Sequence, residues 1–180
     1  MAEAIVEPLR RAAADESSAE RFEDLYRRTS RRIYAYVASL LRDPSAAEEV
    51  TAQTFERAYR RRSSFRPRRG SAEAWLFGIA RNAALDELRR RKRRAALEAD
   101  VEDPWCAGPE DGIEGEERRA AVRAALATLD ARERDLVALK FAGSLQNVEI
   151  ARVLGISPSS AGTRLHRAIE KLREACHEEL

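Results

Sequence analysis

LQNVEIARVLGISPSSAGTRLHRAIEKLR, residues 145–173, decides how this chain is read. Val148, Ile150, Ala151 and Leu154 recur at helical spacing, and Gly155 stops the run. Ser157 and Pro158 then supply a cap and a first-turn residue for a second helix, with Ala161, Leu165, Ala168, Ile169 and Leu172 inward. A short helix, a tight turn containing Gly and a second helix make a helix-turn-helix. The second helix of such a unit enters the major groove, where its outward side chains meet base edges and phosphates. Here those are Ser159, Ser160, Gly162, Thr163, Arg164, His166 and Arg167. Just upstream, Asp130 and Glu133 form a capping box for a helix bearing Leu136, Val137, Leu139 and Phe141. Gly143 is expected to end that helix and Ser144 to open the next.

Further toward the N-terminus the character changes. Residues 95–117 hold nine acidic and no basic side chains, with Pro104, Pro109, Gly108, Gly112 and Gly115 and no hydrophobic period. That composition describes a flexible acidic linker. The chain therefore divides into an N-terminal extension (1–20), a first domain (21–94), the linker (95–117) and a second domain (118–180). Little alternates with period two, so both domains are expected to be small and helical, giving an all-α protein.

In the first domain Phe22, Leu25, Tyr26, Thr29, Ile33, Tyr36, Val37, Leu40 and Leu41 form one stripe, on a helix ending near Arg42. Asp43 and Pro44 cap and open the next helix, with Ser45 and Glu48 as a competing box. Ala47, Val50, Thr51, Thr54, Phe55, Ala58 and Tyr59 are its buried side, and Glu48, Glu49, Gln53 and Glu56 make an exposed acidic surface. Pro67 and Gly70 impose a loop over 63–70, and Ser71 caps a third helix from about Ala72 to Arg94. Trp75, Leu76, Ile79, Ala80, Ala83 and Leu88 supply its apolar positions.

Residues 21–94 carry 20 basic and 9 acidic side chains, a net +11 inside a chain of only +2. Such a block suits a polyanion partner, or else a solvated charged surface. Phe65, Arg66, Arg68, Arg69, Trp75, Arg81 and Asn82 mix aromatic and basic groups in the manner that receives unstacked bases and phosphates. Trp75 alone reads equally as core, and the run RRRKRR as a solvated helix end.

Other classes find little support. Cys106 and Cys176 have no ligand or redox spacing, and the only histidines are His166 and His177. No metal site, cofactor or catalytic constellation follows, and the chain is not expected to be an enzyme. No apolar run reaches 18 residues, and the N-terminus lacks the order of a secretory signal, so a cytoplasmic protein without membrane insertion is expected. The residues alone leave open a free-standing helix-turn-helix regulator whose first half is an effector or dimerisation domain.

The order of features is more specific. AAEEVTAQTFERAYRR, then SFRPRRGSAEAWLFGIARNAALDELRRRKRR, then the acidic linker, then LQNVEIARVLGISPSSAGTRLHRAIEKLR resembles the extracytoplasmic-function (ECF) sigma factors of bacterial RNA polymerase. The resemblance covers about 22–94 and 118–176. It implies an alternative sigma factor that binds core RNA polymerase through the clamp helices of the largest subunit and directs promoter-specific initiation. The first domain would be sigma region 2, which recognises and opens the −10 element, and the second sigma region 4, which reads the −35 element. Matching the polymerase-binding positions are Glu48, Glu49, Gln53, Phe55 and Glu56; the surroundings of Phe65 and Asn82 match the pocket for a flipped-out −10 base; and Gly162, Thr163, Arg164, His166 and Arg167 match the −35 helix. Ala46, Ala52, Val148 and Gly162 depart from the family's usual acidic, Gln, Glu and basic residues. An anti-sigma factor is the further partner implied, and the free chain is expected to be a monomer.

Overall fold

The structure, a computed structural model, describes residues 3–97 and 122–178, with side chains over 21–68, 70–96 and 122–176. Every regular element among them is helical. In order they are α1 (Glu3–Leu41), α2 (Pro44–Arg60), α3 (Ala72–Leu97), α4 (122–127), α5 (Ala131–Phe141), α6 (Asn147–Leu154) and α7 (Pro158–Glu178). The expected extension thus continues into α1, and α3 takes in the first three residues of the expected linker. From 98 onward the linker lies outside the described residues, as does Cys106.

The first three helices form a bundle, and its joints are local. Arg42 adopts a left-handed conformation (φ 52°) that turns the chain out of α1. The Asp43 carboxylate then accepts from the Ala46 amide at 3.0 Å, with Pro44 in the first turn. Asp43 also accepts from Arg91 at 2.8 Å, tying the α1–α2 corner to α3. Between α2 and α3 the loop condenses into two single 3₁₀ turns, Arg62–Ser64 and Pro67–Arg69. Gly70, at φ 142°, ends it, and the Ser71 hydroxyl accepts from the Ala74 amide at 3.1 Å. Ile33, Tyr36, Val37, Leu76 and Ala80 are fully enclosed, as their spacing predicted for the stripes of α1 and α3. Tyr59, expected inside, is instead 45% exposed and stacks beneath Arg62, 4.2 Å from ring centroid to guanidinium carbon.

The second half follows its punctuation with two corrections. Asp130 and Glu133 make the reciprocal capping box that opens α5. Ser144 does not cap α6: it takes the left-handed position (φ 49°) that reverses the chain after α5. The cap is two residues later, where the Gln146 amide donates to Glu149 at 3.0 Å. Gly143 is needed for close approach, since a Cβ there would stand 2.5 Å from the Leu139 carbonyl oxygen and 3.0 Å from Phe77. Val148 is exposed on α6. Gly155 ends that helix in the left-handed region (φ 67°), and the Ser157 hydroxyl accepts from the Ser160 amide to open α7.

The two halves, expected as separate domains, share one core. Leu76, Phe77 and Tyr36 of the first belong to the same buried cluster as Val137, Leu145 and Ile150 of the second. Helix α5 packs on α1 and α6 packs on α3. No described helix is long and apolar enough to cross a membrane.

Asp43 supplies the first test. The Ala46 amide holds its carboxyl below the ordinary range near 3.8, burial opposes this and Arg91 adds to it. A depressed carboxyl pKa contributes stability above the unfolded value and loses it as pH falls through the folded value. Asp43→Ala should cost about 1 kcal/mol near neutrality, and the gap from wild type in urea denaturation should close as the pH is lowered past 4.

Candidate nucleic-acid interface

Three surfaces are assembled by this fold. On the first, α2 exposes Glu48, Glu49 and Glu56 along one face, with Gln53 half-buried among them. Gln53 donates to Glu49 at 3.0 Å and Glu56 pairs with Arg60 at 2.7 Å, so the face is acidic with its side chains held in register along the helix. Phe55, grouped with them from the sequence, points the other way. It is 7% exposed, packed edge-on against Tyr26 (4.7 Å) and Phe22 (6.5 Å). It supports the acidic face from beneath.

The second surface lies where the loop meets α3. Phe65 and Trp75 tilt against each other with centroids 5.5 Å apart, and both remain partly open to solvent. With Arg66, Ala74, Ile79 and Asn82 they line a cavity of about 410 Å³. Asn82 is exposed at its rim and offers a paired amide donor and acceptor, the arrangement that hydrogen-bonds a base edge. Arg68 is exposed on the neighbouring 3₁₀ turn and does not line the cavity; nothing is described of the Arg69 side chain. Arg81 also stays out. Its guanidinium turns to the second half of the molecule and donates to Asp135 at 2.7 Å.

The third surface is α7. Ser159, Thr163, Arg164, His166 and Arg167 are exposed, whereas Ser160 and Gly162 are half-buried near the α6 start. Arg164 and Arg167 open onto a cleft of about 440 Å³ that Arg81 and Asp135 line from the other side.

Sequence reasoning missed Asp135 and Phe77. Asp135 is 5% exposed, and its two carboxylate oxygens accept separately from Tyr36 (2.7 Å) and Arg81 (2.7 Å). Burial, then the neighbouring carboxylate, push the Tyr36 hydroxyl well above its ordinary value near 10, so it stays protonated and donates. Phe77 meets Tyr36 edge-on at 5.5 Å and lies under the Arg32 guanidinium, which also pairs with Glu73 and donates to the Gly143 carbonyl. The available signal was α5 itself, where five consecutive positions, Asp135–Leu139, are buried, as only a helix packed on more than one side requires. Among the described residues no cluster of His, Cys, Asp or Glu is placed to hold a metal ion.

Residues 25–94 match the family described as Sigma-70 region 2, and residues 119–172 the family described as Sigma-70, region 4. The chain is 32% identical over 172 residues to the ECF RNA polymerase sigma factor SigK of Mycobacterium tuberculosis, covering 92% of this chain and 89% of that protein. It is 33% identical over 155 residues to the RNA polymerase sigma factor CarQ of Myxococcus xanthus, covering 85% and 87%. Among solved structures, the fold is similar to the sigma factor RpoE in complex with the anti-sigma factor NepR from Bartonella quintana (TM-score 0.72, 22% identity, 87% of this chain and 96% of that one). It is also similar to CnrH in complex with the cytosolic domain of CnrY (TM-score 0.67, 22% identity, 94% and 98%). The chain belongs to the ECF sigma factors of RNA polymerase. It is an alternative sigma factor, a non-enzymatic subunit that directs core polymerase to promoters, and the match over the first half displaces the free-standing regulator.

Two measurements follow from this geometry. A Cβ on Gly162 would meet only the Asn147 amide nitrogen, at an ordinary 3.5 Å, so Gly162→Ala should stabilise the chain by up to about 1 kcal/mol, read as a raised Tm. A raised Tyr pKa contributes stability below the unfolded value near 10 and loses it as pH rises through the folded value. Wild-type stability should therefore fall more steeply above pH 10 than that of Tyr36→Phe, compared by denaturant titration.

Proposed function

We propose that the three surfaces divide the work of initiation. Glu48, Glu49, Gln53 and Glu56 dock on the clamp helices of the largest polymerase subunit, with Phe55 buttressing them. The cavity of Phe65, Trp75 and Asn82 receives a −10 base as the strand opens, and Arg66, Arg68 and Arg69 hold the adjoining backbone. Capturing an unstacked base drives melting, because the base is withdrawn from re-pairing. Ser159, Ser160, Gly162, Thr163, Arg164, His166 and Arg167 present the −35 reading face, with the arginines on phosphates or guanine edges. The protein acts in the cytoplasm, is a monomer when free, and is held in check by an anti-sigma factor, as the similar sigma factor solved in complex with the anti-sigma factor NepR supports.

The observation that carries this reading is the cavity in which two aromatic faces and the exposed Asn82 amide converge beside a basic loop. Runoff transcription with purified core polymerase on a genomic promoter library, with start sites mapped, tests it. New starts sharing −35 and −10 sequences should appear with the wild type. Asn82→Ala should lower their yield about tenfold, the scale of one lost base contact. Absence of new starts, with tight palindromic binding by the protein alone, would overturn it.

A further inference from the structure

Away from the three surfaces, α1, α4 and α5 enclose an apolar cavity of about 350 Å³. Leu126, Val137 and Phe141 are among its walls, and Phe141, in the last turn of α5, is left 62% exposed. An aromatic ring open beside an apolar cavity marks a surface suited to an apolar occupant. Arg42, Arg123 and Arg134 line the same cavity, each partly open to water, and among the described residues no acidic side chain lines it. The complementary occupant is therefore apolar at its centre and negative on both sides.

The acidic linker has that chemistry. Trp105 is its one aromatic residue, with Glu102 and Asp103 just before it and Glu110 and Asp111 just after. Both ends of the linker also come to this cavity. At the start, Arg91 of α3 donates to the Leu41 carbonyl at 3.4 Å and to the Asp43 carboxylate at 2.8 Å, which sets α3 beside Arg42. From Arg91 the helix runs on only about 9 Å to Leu97. At the other end the linker leads into α4, whose Arg123 and Leu126 are themselves part of the lining. Trp105 lies eight residues beyond Leu97, a reach of up to about 28 Å of extended chain, and eighteen before Arg123. Neither tether keeps the indole from the cavity. A tethered segment meets its site at roughly millimolar effective concentration, ahead of a free peptide of the same chemistry.

We propose that the acidic linker docks in cis on the groove of α1, α4 and α5, with the Trp105 indole in the cavity and the flanking carboxylates on Arg42, Arg123 and Arg134. The linker is then a ligand of its own chain as well as the connection between its halves. A separate acidic, amphipathic segment must displace Trp105 to use the groove. The electrostatic share of the docking weakens with salt, because the arginines are partly open to water.

The test uses the full chain carrying Trp75→Phe, which leaves Trp105 as the only tryptophan. Its emission should lie to the blue of the urea-unfolded chain, with acrylamide quenching several-fold weaker. Phe141→Ser, at an exposed position, and Arg134→Glu should each return both readings toward the unfolded values at unchanged far-UV helicity. Emission and quenching equal to those of the unfolded chain, or unaltered in both variants, would overturn the docking and leave the groove to a separate partner. A blue shift that develops only as protein concentration rises would put the linker of a second copy in the groove, and would equally overturn the cis arrangement.

Discussion

A carboxylate enclosed between two helical domains imposes a stringent condition on both. Asp135 reaches the first domain with two oxygens, and each must find a donor there at hydrogen-bonding distance or the contact becomes unfavourable. That requirement sets the angle at which α5 lies on α1 and α3, because Tyr36 and Arg81 are fixed by the bundle that carries them. Phe77 then faces a glycine where any side chain would collide, and α6 comes to rest beside the loop between α2 and α3.

Polar ties make such a closure specific and reversible. An apolar seam alone tolerates sliding, whereas Tyr36–Asp135–Arg81, Arg32–Gly143 and Ser71–Glu149 are satisfied together in a single register. Each of these groups is also readily hydrated, so separation does not strand a charge. The apolar residues Phe77, Val137 and Leu145 are different, since opening exposes them.

What was legible in the sequence was local. The Asp130–Glu133 box, the Asp43–Pro44 cap, the Gly155 stop and the stripes of α1 and α3 are each encoded within a few residues, and the structure realises them. Of the residues grouped there from the sequence, Phe65, Arg66, Trp75 and Asn82 line one cavity, while Arg68 and Arg81 do not. The misplacements are of two kinds. Ser144 was read as a cap because serine suits that position, but the turn after α5 needed a left-handed residue first and moved the cap to Gln146. Asp135, Phe77 and the direction of Arg81 were invisible because they are decided by partners 41 to 99 residues away. A helical period reports that a face is covered and is silent about which element covers it.

Asp135 sits in α5, away from the exposed face of α7. Variation at that position therefore acts on how the two halves are held together and leaves the exposed side chains of α7 untouched. The contact that holds the halves together and the chemistry of the exposed α7 face are therefore set by different residues. Substitutions can accumulate on the exposed face of α7 without disturbing the buried contact that holds the halves together.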